Sequence, residues 1–212
     1  MSIDEIIQSA FALVAAPKED ELTFPGKSGI RYIAAANGLF REVNLPWIRA
    51  FHRVAKLTEP FVLPYGRMSD KFELFCSPVP KALIKRFAED SRVHAPDEIA
   101  SALVWNQMTQ EWRYARRKSL QASPGHVIYE EVLLEDGEHI VVDMHSHGGY
   151  KAFFSERDNQ DDQGSMKFSL VLGDVQTELP SSAFRLCLCG LFLKAFMDAD
   201  GNLSVQSTEA SK

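Results

Sequence analysis

Apolar residues recur along this chain with two different periods, and the switches between them mark out its elements. Near the start, Ile3, Ile6, Ile7, Ala10, Phe11 and Val14 fall at helical spacing. Residues 30–35 and 39–43 read as strands around Asn37-Gly38, a strong hairpin signal. Residues 46–55 are expected as a short helix, with further strands at 61–63 and 72–76. Pro78 and Pro80 mark a boundary. Over residues 80–94 the helical period returns: Leu83, Ile84, Phe87 and Ala88 form one stripe, Pro80 is tolerated in the first turn, and Pro96 stops the helix. Residues 99–105 are an apolar, strand-like run. Strands are expected at 112–115, 127–134, 139–145, 167–172 and 183–192.

These elements predict an α+β protein. A small α+β domain occupies residues 1–76. Residues 77–205 form a mixed sheet with flanking helices, and residues 206–212 are a polar tail. No internal repeat or low-complexity segment interrupts either part.

The candidate chemistry lies in His145-Ser146-His147 and Ser155-Glu156-Arg157-Asp158, two runs within 14 residues. The spacing suits a strand feeding a helix. Strand alternation points His145 and His147 to one face and Ser146 to the other. Helical spacing lets Ser155 and Asp158 look the same way. Two same-face histidines and a carboxylate make three ligands for one zinc ion, with a fourth position left open. Gly148-Gly149 allow a sharp turn beside such a site. Ser155-x-x-Asp158 has an equally good structural reading as a helix capping box. Hydrolysis at such a centre also needs a base. Glu98 is the best-placed upstream carboxylate, because it falls at a helix-to-strand junction where an acid can face a cleft.

Glu98, then His145-Ser146-His147, seven residues, Ser155, two residues and Asp158 resembles the signature of the JAMM, or MPN-plus, zinc metalloproteases. The match is complete in residue type, and 46 residues separate Glu98 from His145. The order of elements from about residue 80 to 196 is also similar to that fold. The flanking Ala152-Phe153-Phe154-Ser155 and Asp161-Asp162 resemble a bacterial branch found in PRTRC cassettes. The resemblance implies a JAMM/MPN-like domain in which His145, His147 and Asp158 hold Zn²⁺. Glu98 would act as general base and Ser155 as oxyanion donor. It further implies cleavage of peptide or isopeptide bonds at the C-terminal tail of a ubiquitin-like or sulfur-carrier protein. Two positions depart from the family pattern: Gly148 stands where members that cleave ubiquitin chains usually have proline, and Ser101 stands where many have glycine. A catalytically inactive MPN-like module that binds a protein partner, its metal structural, is the competing reading.

Composition narrows the partners. A net charge of -6 argues against nucleic acid, although Arg113–Lys118 is a local basic run expected to be a solvated strand face and loop. Cys76, Cys187 and Cys189 are an odd count. Cys187-x-Cys189 would point both thiols one way along a strand, as free buried groups in a reducing cytoplasm. Residues 9–16 are apolar, but Asp4 and Glu5 precede them where a signal peptide needs positive charge, and no stretch reaches the length of a membrane span. A cytoplasmic protein with no membrane partner is expected.

Overall fold

The computed structural model describes residues 2–23, 26–58, 60–123 and 126–206. They fall into two compact units, one built on residues up to Phe75 and one on Cys76–Gln206. Of the polar tail expected at 206–212, all but Gln206 lies outside the described residues.

In the first unit, Ser2 caps α1 (Ile3–Ala10). Its hydroxyl accepts from the Glu5 N–H, and the Glu5 side chain accepts from the Ser2 N–H. The helix is shorter than its apolar spacing predicts. The chain leaves it to form β1 (Leu13–Ala15), parallel to β2 (Gly29–Ala35), and Val14 joins the core of Ile33, Phe40 and Phe51 instead. Strands β3 (Gly38–Leu45), β4 (Ile48–Lys56) and β5 (Lys71–Leu74) continue an antiparallel meander. The helix expected at 46–55 is therefore a strand. Pro46 and Trp47 are the two-residue turn between paired Leu45 and Ile48, and β4 pairs with β3 throughout, so the sheet overrides a weak helical spacing. Residues 61–63 form no strand. Buried Glu42 is held between Arg31 and Arg49.

The second unit opens with α2 (Lys81–His94), whose N-cap is Pro80, and Phe87 and Ser91 are its buried residues. Then come β6 (Ala100–Asn106), β7 (Trp112–Arg116), β8 (Ser119–Ser123), β9 (His126–Tyr129), β10 (Glu138–Ser146), α3 (Glu156–Asp162), β11 (Met166–Gly173), β12 (Ser181–Leu188), β13 (Leu191–Met197) and β14 (Leu203–Val205). Seven of these strands make one mixed sheet in the order β14-β13-β12-β11-β10-β6-β7, with β10 and β11 parallel. Parallel neighbours require a crossover, and α3 lies in it. Register separates the two faces. Leu103, Val142, Phe168, Leu186 and Leu193 form an apolar row on the face that carries α2. Asp143, Ser169 and Arg185 form the next row, on the face that carries α3.

Two strand expectations change here. Residues 127–134 do not extend the sheet: β9 ends at Tyr129 and pairs with β8 as a separate two-stranded ribbon, because both edges of β10 are already occupied. Residues 183–192 are two strands. Cys189 and Gly190, at φ 46° and 86°, form the tight turn between paired Leu188 and Leu191. An apolar run with one glycine hides that turn. Cys189 thus leaves the strand alternation and does not share a direction with Cys187. The basic run is not fully solvated either, since Arg117 is buried between Asp143 and Glu131 with Tyr129 beneath it.

Candidate metal centre

β10 carries His145 to the face of α3, and His147 lies one residue past the strand end. Ser146 between them points the other way and is fully buried. Its hydroxyl accepts from the Ile99 N–H at 3.1 Å, and its own N–H donates to the Ile99 carbonyl at 3.0 Å. The residue between the histidines therefore holds the segment that carries Glu98. His145 Nε2 and His147 Nε2 are 3.1 Å apart, and His145 Nε2 is 3.5 Å from Asp158 Oδ1. The ligand atoms of all three residues lie within 4.8 Å of one another.

Each candidate ligand is oriented from behind. His147 Nδ1 lies 3.3 Å from the Lys151 carbonyl, which can only accept, so Nδ1 is the donor there and Nε2 is the nitrogen turned toward His145. Phe153 packs edge-on against that ring. Burial pushes the His145 imidazole below its ordinary pKa, which keeps it in the neutral, ligating form. Ser155 is the N-cap of α3: its Oγ accepts from the Asp158 N–H at 3.2 Å. The Ser155 N–H and O–H both donate to Asp158 Oδ2, each at 2.7 Å. Oδ1 is left facing His145.

Glu98 sits between α2 and β6, only 7% exposed. Burial first, and the Asp158 carboxylate second, push its carboxyl up to about 7. The field of Asp158 thus links Glu98 to the histidine cluster. Gly148 adjusts the same corner. It has φ 53°, and a Cβ there would lie 2.3 Å from the Pro96 carbonyl oxygen. Only glycine lets the turn after His147 pass so close to the loop leading to Glu98.

Behind the cluster is a charge network that the motif does not reveal. Lys167 bridges Asp143 and Asp162, and Arg117 also donates to Asp143. Arg185 donates to Asp162 Oδ2, the Asp158 carbonyl and Asn159 Oδ1. It is sandwiched between Phe154 and Phe192, at 3.7 and 4.0 Å from their ring centres. Burial opposes ionisation of Asp162, but Lys167 and Arg185 outweigh it and hold the carboxyl below its ordinary value. Arg185 and Asp162 therefore pin α3 to the sheet and fix the position of Asp158. The available signal is a charged residue inside an otherwise apolar strand: Asp143 in β10 and Arg185 in β12.

An α+β sheet whose parallel strand pair ends in two histidines and a helix-borne carboxylate defines a JAB-type domain with a candidate metal site. The profile of prokaryotic homologs of the JAB domain matches residues 80–187, and the chain belongs to that family. Residues 1–75 match a domain of unknown function, DUF2016. No curated protein matches the chain. Two imidazoles and one carboxylate are a donor set suited to a divalent first-row cation such as zinc.

Proposed function

We propose that the chain is a zinc-dependent hydrolase of peptide or isopeptide bonds, acting on the C-terminal tail of a ubiquitin-like or sulfur-carrier protein. The observation that carries the hydrolase reading is the pairing of a three-ligand cluster with a buried carboxyl. His145, His147 and Asp158 converge within 4.8 Å, and Glu98 is tuned to about 7 by burial and by one of those ligands. A closed structural metal site has no need of such a carboxyl.

His145, His147 and Asp158 would hold the cation, which would polarise the scissile carbonyl and make its water more acidic. Glu98 takes a proton from the attacking water and returns it to the leaving amine, so water is added across the acyl–nitrogen bond. A group that titrates near neutrality suits both transfers. The Ser155 hydroxyl can serve an oxyanion only by giving up its bond to Asp158 Oδ2. The choice of a protein tail as substrate rests on the family resemblance of the motif. No helix among the described residues is long and apolar enough to cross a membrane, and Cys76 and Cys187 form no disulfide. The reduced thiols support work in a reducing compartment such as the cytoplasm.

The test is cleavage of a ubiquitin-like protein fused at its C-terminus to a reporter peptide, followed by mass spectrometry. Wild type is expected to release the reporter at the junction, and Glu98→Gln is not. Equal cleavage by both removes Glu98 as the base.

A further inference from the structure

Glu98 follows α2, which ends at His94, and its segment is fixed downstream where Ile99 bonds Ser146. Its upstream position is set by where the last turns of α2 lie. Two side chains of those turns reach away from each other to partners outside the metal motif. The first is Arg92. Its Nε donates to the Val175 carbonyl at 2.8 Å and its Nη2 to the Thr177 carbonyl at 3.4 Å. Val175 is buried, and its own N–H donates to the Gly148 carbonyl at 3.0 Å. The His147 N–H donates to the Leu172 carbonyl at 2.7 Å. Residues 172–175 thus run beside His147 and Gly148, and Arg92 ties their far end to α2. Gly148 in turn lies against Pro96. These contacts close a ring through α2, Pro96, Gly148, Val175 and Arg92. Glu98 leaves the ring on one side and His147 on the other.

The second is Asp90. Its Oδ2 accepts from the Tyr114 hydroxyl at 2.7 Å and lies 3.5 Å from Arg116 Nη1. A tyrosine has one hydroxyl proton, and Tyr114 gives it to Asp90. Its 2.8 Å contact with Ser101 Oγ therefore has the serine as donor. Ser101 is fully buried in β6, the strand that Glu98 leads into. The Arg86 guanidinium covers the Tyr114 ring at 4.7 Å from its centre. Tyr114 thus joins α2 to β6 through two side chains, and Arg92 joins it to the segment beside His147.

We propose that Arg92 and Tyr114 are positioning residues that set the distance from Glu98 to the histidine pair. Both act through the end of α2. Arg92 fixes that end against the turn that follows His147, and Tyr114 fixes it against the strand that follows Glu98. With both flanks held, residues 95–98 have one course, and the carboxyl stands at one distance from the cluster. Arg92 serves two carbonyls from one planar fork, which a lysine cannot reproduce. The catalytic consequence rests on the function proposed above; the placement of residues 95–98 does not.

The test uses the full chain and the variants Arg92→Met, Arg92→Lys and Tyr114→Phe. In the metal-free chain, nuclear magnetic resonance is expected to show amide exchange at Asp97 about tenfold faster in Arg92→Met and in Tyr114→Phe. Val175 should follow in Arg92→Met, and Leu170, in the middle of the sheet, should not change. Cobalt bound at the cluster reads the distance: its paramagnetic relaxation of the Glu98 carboxyl carbon is expected to weaken in both variants. On the ubiquitin-like reporter fusion each should lower kcat about tenfold with KM and zinc content unchanged, since a misplaced base is felt only in the transition state. Arg92→Lys should recover part of that loss, because one carbonyl is held again. Wild-type exchange at Asp97 in both variants overturns the proposal, as does wild-type kcat in both. A loss of kcat that follows zinc content or the folded fraction also overturns it, and assigns the two residues to stability. If Arg92→Met does not fold, Tyr114→Phe decides, since it removes a single hydroxyl. If the wild type cleaves nothing, the hydrolase reading fails, and exchange at Asp97 still decides the placement of residues 95–98.

Discussion

Ser155 and Asp158 hold each other in a closed pair: Ser155 Oγ accepts from the Asp158 N–H and donates to Asp158 Oδ2 at 2.7 Å, which leaves Oδ1 3.5 Å from His145 Nε2. One serine therefore caps the helix and aims the carboxylate. Ser155→Ala is expected to cost about 1 kcal/mol of stability as a lost cap. Zinc affinity should fall by about tenfold or more, as when a group orienting a ligand is removed. If the hydroxyl also serves the oxyanion, turnover should fall by about 10²-fold at saturating zinc. Denaturant melts, zinc titration and turnover of this variant separate the three roles. Ser155→Asp can still cap the helix but places charge where the oxyanion forms, and it is expected to fold and be inactive.

Glu98 makes the metal-free chain pH-sensitive. Its folded carboxyl sits at about 7 against an ordinary value of 4.5. Between those values the folded state holds more protons than the unfolded state. Its contribution to stability is therefore largest below about 4.5 and declines as pH rises through 7. Glu98→Gln is expected to flatten that slope in denaturant melts of the metal-free chain. In the zinc-loaded chain the cation favours the ionised carboxylate, so the acid limb of kcat/KM should fall below 7. An unchanged stability slope in Glu98→Gln would show that another group carries it.

Arg185 is expected to control metal binding from a distance. Arg185→Met leaves Asp162 buried with one cation fewer and frees the Asp158 carbonyl. Removal of one partner from such a buried pair costs about 3–5 kcal/mol. The surviving folded fraction should bind zinc more weakly, because α3 no longer holds Asp158 in place. Cobalt substitution reads the geometry directly: an altered visible spectrum in the folded variant is expected, and a spectrum identical to wild type would limit Arg185 to stability.

The convergence of His145, His147 and Asp158 is readable from spacing alone, because strand alternation and helical register are short-range rules. Glu98 is readable only as a residue at a junction. Its burial depends on Ser146 binding Ile99 across the sheet, which is a tertiary fact. The β12–β13 turn is hidden because Cys189 is not a turn-forming residue and the flanking residues are uniformly apolar. The strand at 48–56 is hidden for a related reason: Pro46-Trp47 reads as a helix start until its ladder with β3 is known. The Asp143–Lys167–Asp162–Arg185 network joins four elements that no local pattern connects.

Gly148 is expected to resist replacement by proline. Proline cannot adopt φ 53°, and any Cβ there meets the Pro96 carbonyl oxygen at 2.3 Å. Gly148→Pro should shift the 95–98 loop, destabilise the chain and lower turnover, even where zinc content is preserved. A Gly148→Pro variant with wild-type stability and rate would show that the turn can take another course.

The central claim is a three-ligand zinc site open toward Glu98, and a zinc-anomalous crystal structure of metal-loaded protein tests it most directly. The expected result is about one zinc per chain. It should be bound by His145 Nε2, His147 Nε2 and Asp158 Oδ1 at about 2.0–2.2 Å, with the remaining position facing Glu98. A shell closed by a fourth protein ligand, Glu98 bound directly to the metal, or no zinc at these residues would contradict it.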